Sequence, residues 1–271
     1  MLFQEPILQW LLQNGGFMDS QVFILNEKRN VTLTAYLQDD SQEFWRAKKR
    51  PAVVIFPGGA YAYCSDREAD PVAQEYLRAG YHAFVLRYSV GWENAVWPNP
   101  LEDYDQAMEL IAAHAKEWHL IPEKIAVIGF SAGGHLAASL STLAKDINRP
   151  DFAILYYPVI SFDNKMAHQG SKKNLLGKNI DNEKLIDYYS LNKQVDDKTP
   201  KTLLLLSYDD RVVPPMNSIL YYIALNEHHI PASLHMFPNG GHGWGIRYDF
   251  AYYQEVKDLI LKWLRYTQII D

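Results

Sequence analysis

The chain has 271 residues, 48% of them hydrophobic and 21% charged, with a formal net charge of −6. That is the composition of an ordinary globular protein with a substantial core, and its acidic balance gives no support to a nucleic-acid or anionic-membrane partner. The single cysteine, Cys64, cannot close an internal disulfide or build a structural zinc site, so cysteine usage fits a reducing compartment.

At the N-terminus, "MLFQEPILQWLLQNGG" lacks a positively charged start and a small-residue cleavage site, and it carries Glu5 and Pro6. It reads as a short packed segment rather than a signal peptide. No stretch approaches the roughly 20 apolar residues of a membrane span, so the expected location is the cytoplasm. "VFILN" (22–26) and "VTLTAYL" (31–37), joined by "EKRN", predict an antiparallel hairpin. "PAVVIF" (51–56) is a continuous apolar run, as in a strand buried on both faces, and "PGGAY" ends it.

"PVAQEYLRAG" (71–80) opens on proline and closes on glycine, as short helices do. After the strand "YHAFVLRYSV" (81–90), residues 101–118 place Leu101, Tyr104, Met108, Ile111, Ala112, Ala115 and Trp118 at helical spacing. "KIAVIGF" reads as a buried strand and "AGGHLAASLSTLA" as its following helix. Further strands are expected at 152–159, 202–208 and 232–238, and helices at 214–230 and 250–267. This alternation predicts an α/β fold: a mostly parallel sheet covered by helices on both faces, with the hairpin as an antiparallel edge. Residues 160–200 break the rhythm with scattered Lys, Asn, Asp and Gly. They read as an insertion over one end of a single 1–271 domain, either a lid or a solvated excursion.

The chemistry concentrates in four segments. Gly129-Phe130-Ser131-Ala132-Gly133 matches G-x-S-x-G between an apolar strand and a small-residue helix. A turn that tight strains the serine backbone and leaves no room for side chains two positions away on either side. In return the hydroxyl projects above the sheet, and the Ala132 amide at the helix start faces the site of a developing oxyanion. A serine hydroxyl needs a base and an oriented acid, in the chain order Ser, Asp or Glu, His. His242 lies just past the last strand among Gly240, Gly241, Gly243 and Gly245; the other eight histidines fall in helices, strands or the insertion. Asp209 and Asp210 both stand at the end of the preceding strand. "FPGGAY" (56–61) offers the amides of Gly59 and Ala60 as further oxyanion donors.

Together these segments resemble the α/β-hydrolase fold. Over roughly residues 50–267 the chain is similar to the carboxylesterase/lipase group with acetyl-xylan-esterase-like and feruloyl-esterase-like bacterial members. The resemblance runs through "PAVVIFPGGAYAYCSDREADPVAQEYLRAGYHAFVLRYSV", "IGFSAGGHLAA", "DDRVVPPMNS" and "GGHGWG". It implies that Ser131 is the nucleophile, that the Asp of D-x-V-V-P, Asp210, is the triad acid, and that His242 is the base. The H-G-G-G of that group's oxyanion loop is P-G-G-A here, with Pro57 and Ala60 at its ends.

The expected activity is hydrolysis of a small-molecule ester with a short acyl group, such as an acetylated sugar, through an acyl-enzyme. No metal or cofactor is called for, and no nucleic-acid or membrane partner; a homo-oligomer is left open. The short acyl preference rests on an insertion without a large apolar helix and on Tyr61, Tyr188 and Trp244 as pocket-narrowing side chains. The rival readings are an amide-cleaving enzyme on the same triad (an arylformamidase or small peptidase) and a non-catalytic binding protein that keeps the fold.

Overall fold

A computed structural model describes residues 18–38, 49–163 and 165–267 and builds the alternating segments into one sheet; the expectation for the N-terminal stretch lies outside the described residues. The strands are β1 (Met18–Asn26), β2 (Val31–Gln38), β3 (Arg50–Phe56), β4 (His82–Arg87), β5 (Leu120–Phe130), β6 (Phe152–Tyr156), β7 (Lys201–Ser207) and β8 (Ala232–Phe237). Their spatial order is β1-β2-β4-β3-β5-β6-β7-β8. The predicted hairpin is present, with Val22 opposite Thr34, and β2 also runs antiparallel to β4. From β4 onward every pairing is parallel.

Helices follow as α1 (Asp70–Arg78), α2 (Asn99–His114), α3 (Ser131–Leu143), α4 (Gln169–Leu176), α5 (Glu183–Tyr188), α6 (Met216–Glu227) and α7 (Tyr253–Tyr266). Strand alternation splits the apolar side chains between two cores. Val54 and Phe56 face a core shared with Tyr104 of α2, Leu136 of α3 and Tyr221 of α6. Val53 and Ile55 face a second core built with Val72 and Tyr76 of α1 and Leu264 of α7. A continuous apolar run such as "AVVIF" is therefore required, because each face of β3 meets helices. Among the described residues no helix is long and apolar enough to cross a membrane.

Two segments differ from the sequence expectation. The helix predicted over 101–118 stops at His114. His119 turns to a left-handed φ of 53° and Trp118 folds back to stack on His114 at 4.6 Å, which redirects the chain into β5. Residues 160–200 are not a solvated excursion: Phe162, Leu175, Leu176 and Leu191 are buried in the first core. Asn217 at the start of α6 fastens the segment, its Oδ1 accepting the amides of Ile160 and Ser161 at 2.9 Å and its Nδ2 donating to the Met166 carbonyl at 3.0 Å.

The parallel strands end along one edge, where an open α/β sheet presents its ligand crevice. The turns after β3, β5, β6, β7 and β8 carry Gly59, Ser131, Tyr157, Asp210 and His242 respectively.

Candidate active site

Ser131 sits at the junction of β5 and α3 with φ of 52°, a left-handed conformation that costs a non-glycine residue about 1–2 kcal/mol. The flanking glycines are needed for space. A Cβ on Gly129 would lie 2.7 Å from Ala137 Cβ, and one on Gly133 would meet the Phe56 and Pro57 carbonyls of the neighbouring β3. Gly133 thus lets α3 press against the end of β3, which brings Ser131 beside the loop at residues 57–61. The serine is 7% exposed.

His242 Nε2 lies 2.9 Å from Ser131 Oγ, and His242 Nδ1 lies 2.6 Å from Asp210 Oδ2. Asp210 is buried, and its other oxygen accepts the amides of Val212 and Val213 at 2.9 Å each. Those amides donate to an anionic acceptor and fix its orientation. The carboxylate in turn holds the proton on His242 Nδ1, so Nε2 presents its lone pair to the serine. The two adjacent aspartates are thereby told apart. Asp209 is exposed and turns to the loop instead, accepting the Gly241 amide at 2.8 Å and fastening the segment that carries His242.

The loop after β3 turns through three successive residues with positive φ: Gly59 at 129°, Ala60 at 59° and Tyr61 at 59°. Its first amide is engaged, because Gly58 N–H donates to Glu68 Oε2 at 2.9 Å. Glu68 is 4% exposed and its Oε1 accepts the Tyr157 hydroxyl at 2.7 Å. That hydroxyl accepts the Gly245 amide at 2.8 Å, and the Tyr157 ring packs 4.7 Å from the His242 ring. One buried carboxylate therefore joins the loop after β3 to the loop that carries His242. Sequence reasoning passed over both Glu68 and Tyr157. "DREAD" looks like a solvated charged run, and nothing local announces that its glutamate turns inward.

Two of the three aromatics expected around the pocket are buried. Tyr61 is fully buried, with its hydroxyl 2.9 Å from His135 Nδ1. Trp244 is 3% exposed, donates from Nε1 to Ser207 Oγ at 2.9 Å and stacks on Phe250 at 4.3 Å. Both are drawn inward because a large ring with one polar atom gains most where the ring packs and the polar atom finds a partner. Tyr188 is exposed on α5 and meets Tyr189 edge-on.

His135, in the second turn of α3, links this loop to the insertion. Its Nε2 donates to the Tyr189 carbonyl at 2.9 Å, so its Nδ1 accepts from Tyr61, and its ring stacks on Phe162 at 4.6 Å. Burial pushes its pKa from an ordinary 6.5 down to about 4, partly opposed by the Tyr189 carbonyl. The unfolded chain therefore takes up this proton first. The associated stability is complete above about pH 6.5 and is lost as the pH falls toward 4, with about 3 kcal/mol at stake. Urea midpoints measured from pH 7 to 4 should fall less steeply for His135→Gln than for the wild type; parallel slopes would remove His135 as the source.

The BD-FAE family model matches residues 42–225, well over half of the chain. The chain belongs to the BD-FAE family. Its fold is that of the α/β-hydrolase esterases. The acetyl ester-xyloside bifunctional hydrolase from Caldicellulosiruptor lactoaceticus superposes with a TM-score of 0.84 at 35% identity, covering 95% of this chain and all of that one. MGS-M1, an α/β hydrolase from a deep-sea metagenome library, superposes with a TM-score of 0.78 at 36% identity, covering 93% of this chain and 99% of that one. Among curated relatives, the acetylxylan esterase of Xylanibacter ruminicola is 35% identical over 79% of this chain and 45% of its own length. An endo-1,4-β-xylanase B of Butyrivibrio fibrisolvens is 36% identical over 91% of this chain and 38% of its own length. This BD-FAE chain thus spans less than half the length of these two curated relatives.

Proposed function

We propose that this chain is a serine carboxylesterase acting on short acyl esters, with acetylated sugars as its substrate class. The observation that carries the proposal is the unbroken hydrogen-bonded sequence from Asp210 through His242 to Ser131, at 2.6 Å and 2.9 Å. Ser131 Oγ attacks the ester carbonyl while His242 Nε2 takes its proton. Asp210 holds the imidazole in the required tautomer and stabilises its charged form. The amides of Gly59, Ala60 and Ala132 receive the oxyanion; Ala132 N–H lies in the first turn of α3, where a helix leaves its amides free. His242 then returns the proton to the leaving alcohol, and a water, deprotonated by the same imidazole, releases the carboxylate.

Support for acetylated sugars comes from the likeness to the Xylanibacter acetylxylan esterase and the Caldicellulosiruptor acetyl ester-xyloside hydrolase. Support for a short acyl group comes from the insertion. Asn174 of α4 donates to the Ala60 carbonyl at 2.8 Å and clamps the helix onto the oxyanion loop. Nitrophenyl acetate, butyrate and decanoate should be cleaved in falling order, and fastest turnover on the decanoate would sink the short-chain reading. Acetylated xylo-oligosaccharides should be better substrates than N-formylkynurenine; the reverse order would favour the amide-cleaving alternative.

A further inference from the structure

His168 stands in the insertion, and its place there gave no reason to connect it with catalysis. The fold brings it to the active site. It precedes α4, which lies against the oxyanion loop: a Cβ on Gly170 would lie 3.2 Å from His168 Cε1 and 3.7 Å from Ala60 Cβ. The backbone around it is held at both ends, by Asn217 on the Met166 carbonyl and by Asn174 on the Ala60 carbonyl.

The hydrogen bonds define its tautomer. His168 Nδ1 accepts the Ser171 amide at 3.2 Å, and Ser171 Oγ lies 2.9 Å from the same nitrogen. An amide N–H can only donate, so Nδ1 carries the lone pair and Nε2 carries the proton. Among the described residues that Nε2–H has no hydrogen-bond partner. Burial lowers the His168 pKa, and the nearby His242 lowers it further, against an opposing pull from Asp210. The ring is therefore neutral at neutral pH, a fixed donor within electrostatic reach of the base.

The side of the substrate it faces follows from the mechanism. His242 delivers its proton to the departing alcohol, so the alcohol sits against His242, and His168, near Ala60 and within electrostatic range of His242, borders the same space. We infer that His168 Nε2–H donates a hydrogen bond to a free hydroxyl of the leaving alcohol, adjacent to the ester oxygen, and so selects polyol esters over simple alkyl esters. This deepens the sugar-ester reading above and rests on it.

Two substitutions separate this role from helix capping. His168→Asn keeps a side-chain acceptor for the Ser171 amide, since asparagine is a strong N-cap, but removes the Nε2 donor. His168→Gln reaches further and places an amide N–H near the Nε2 position while weakening the cap. The readout is the ratio of kcat/KM for the monoacetate of trans-1,2-cyclohexanediol to that for cyclohexyl acetate. The wild type should favour the hydroxylated ester. His168→Asn should lower the ratio about tenfold, the worth of one such hydrogen bond, with cyclohexyl acetate cleaved at the wild-type rate. His168→Gln should keep most of the ratio despite a lower melting temperature. A wild-type preference that survives in His168→Asn overturns the assignment of His168 and leaves the polyol-ester reading standing. A wild type with no preference overturns both. Equal losses on the two esters in both variants would assign His168 to capping alone.

Discussion

Ser131→Ala should lower kcat on nitrophenyl acetate by about 10⁵-fold or more and abolish labelling by a fluorophosphonate probe. The fold should survive, because the hydroxyl's partner is His242 Nε2, and loss of Oγ leaves the backbone of the elbow unchanged. Asp210→Asn should cost about 10⁴-fold for a different reason. Its Oδ1 can still accept the amides of Val212 and Val213, which turns the new Nδ2 toward His242 Nδ1. An amide nitrogen donates, so the imidazole must carry its proton on Nε2, aimed at the serine it is meant to deprotonate. Members of one catalytic unit are not additive, so the double variant should be no slower than Ser131→Ala alone. A folded wild type that takes no probe would favour a binding protein; an Asp210→Asn variant within tenfold of wild type would refute the role given to Asp210.

The parts of this site that could be read from the sequence are those whose chemistry is local. The G-x-S-x-G turn announces itself because steric limits act over five consecutive residues, and they are the limits seen at Gly129 and Gly133. The order Ser131, Asp210, His242 follows from which strands precede them, so alternation along the chain was enough to place each at a strand end. Asp209 and Asp210 could not be separated by spacing. Their difference lies in which one meets the amides of Val212 and Val213 and which meets Gly241, an outcome of loop packing. The burial of the aromatics was hidden for a related reason. Tyr61 and Trp244 flank catalytic segments, but whether such a ring lines a pocket or fills a core depends on distant partners: His135 for one, Ser207 and Phe250 for the other. The insertion could be read either as a lid or as a solvated excursion because the residues that anchor it, Asn174 and Asn217, are ordinary surface residue types until their targets are known.

Glu68 gives the second large effect. Its two oxygens accept from Gly58 N–H and Tyr157 O–H, and the Tyr157 oxygen accepts in turn from Gly245 N–H. Glutamine at this position retains one acceptor but turns an amide N–H₂ toward one of two donors. If it faces Gly58, the oxyanion loop loses its anchor one residue before the amides of Gly59 and Ala60. If it faces Tyr157, the phenol must find another acceptor in a buried site, and the tie to the histidine loop is lost. In either case donors aimed at the oxyanion are misplaced relative to the base, a misalignment that matters most in the transition state. Glu68→Gln should therefore lower kcat about 10²-fold while KM changes by less than about threefold. Glu68→Ala leaves both donors buried and unpaired, at about 1–3 kcal/mol each, and should lower the melting temperature as well. Tyr157→Phe removes the other end of the link. If Glu68 and Tyr157 act as one connection, combining Glu68→Gln with Tyr157→Phe should cost little more in kcat than the worse single change. Fully additive losses, or a Glu68→Gln effect confined to melting temperature, would show that the carboxylate holds the fold without setting the geometry of catalysis.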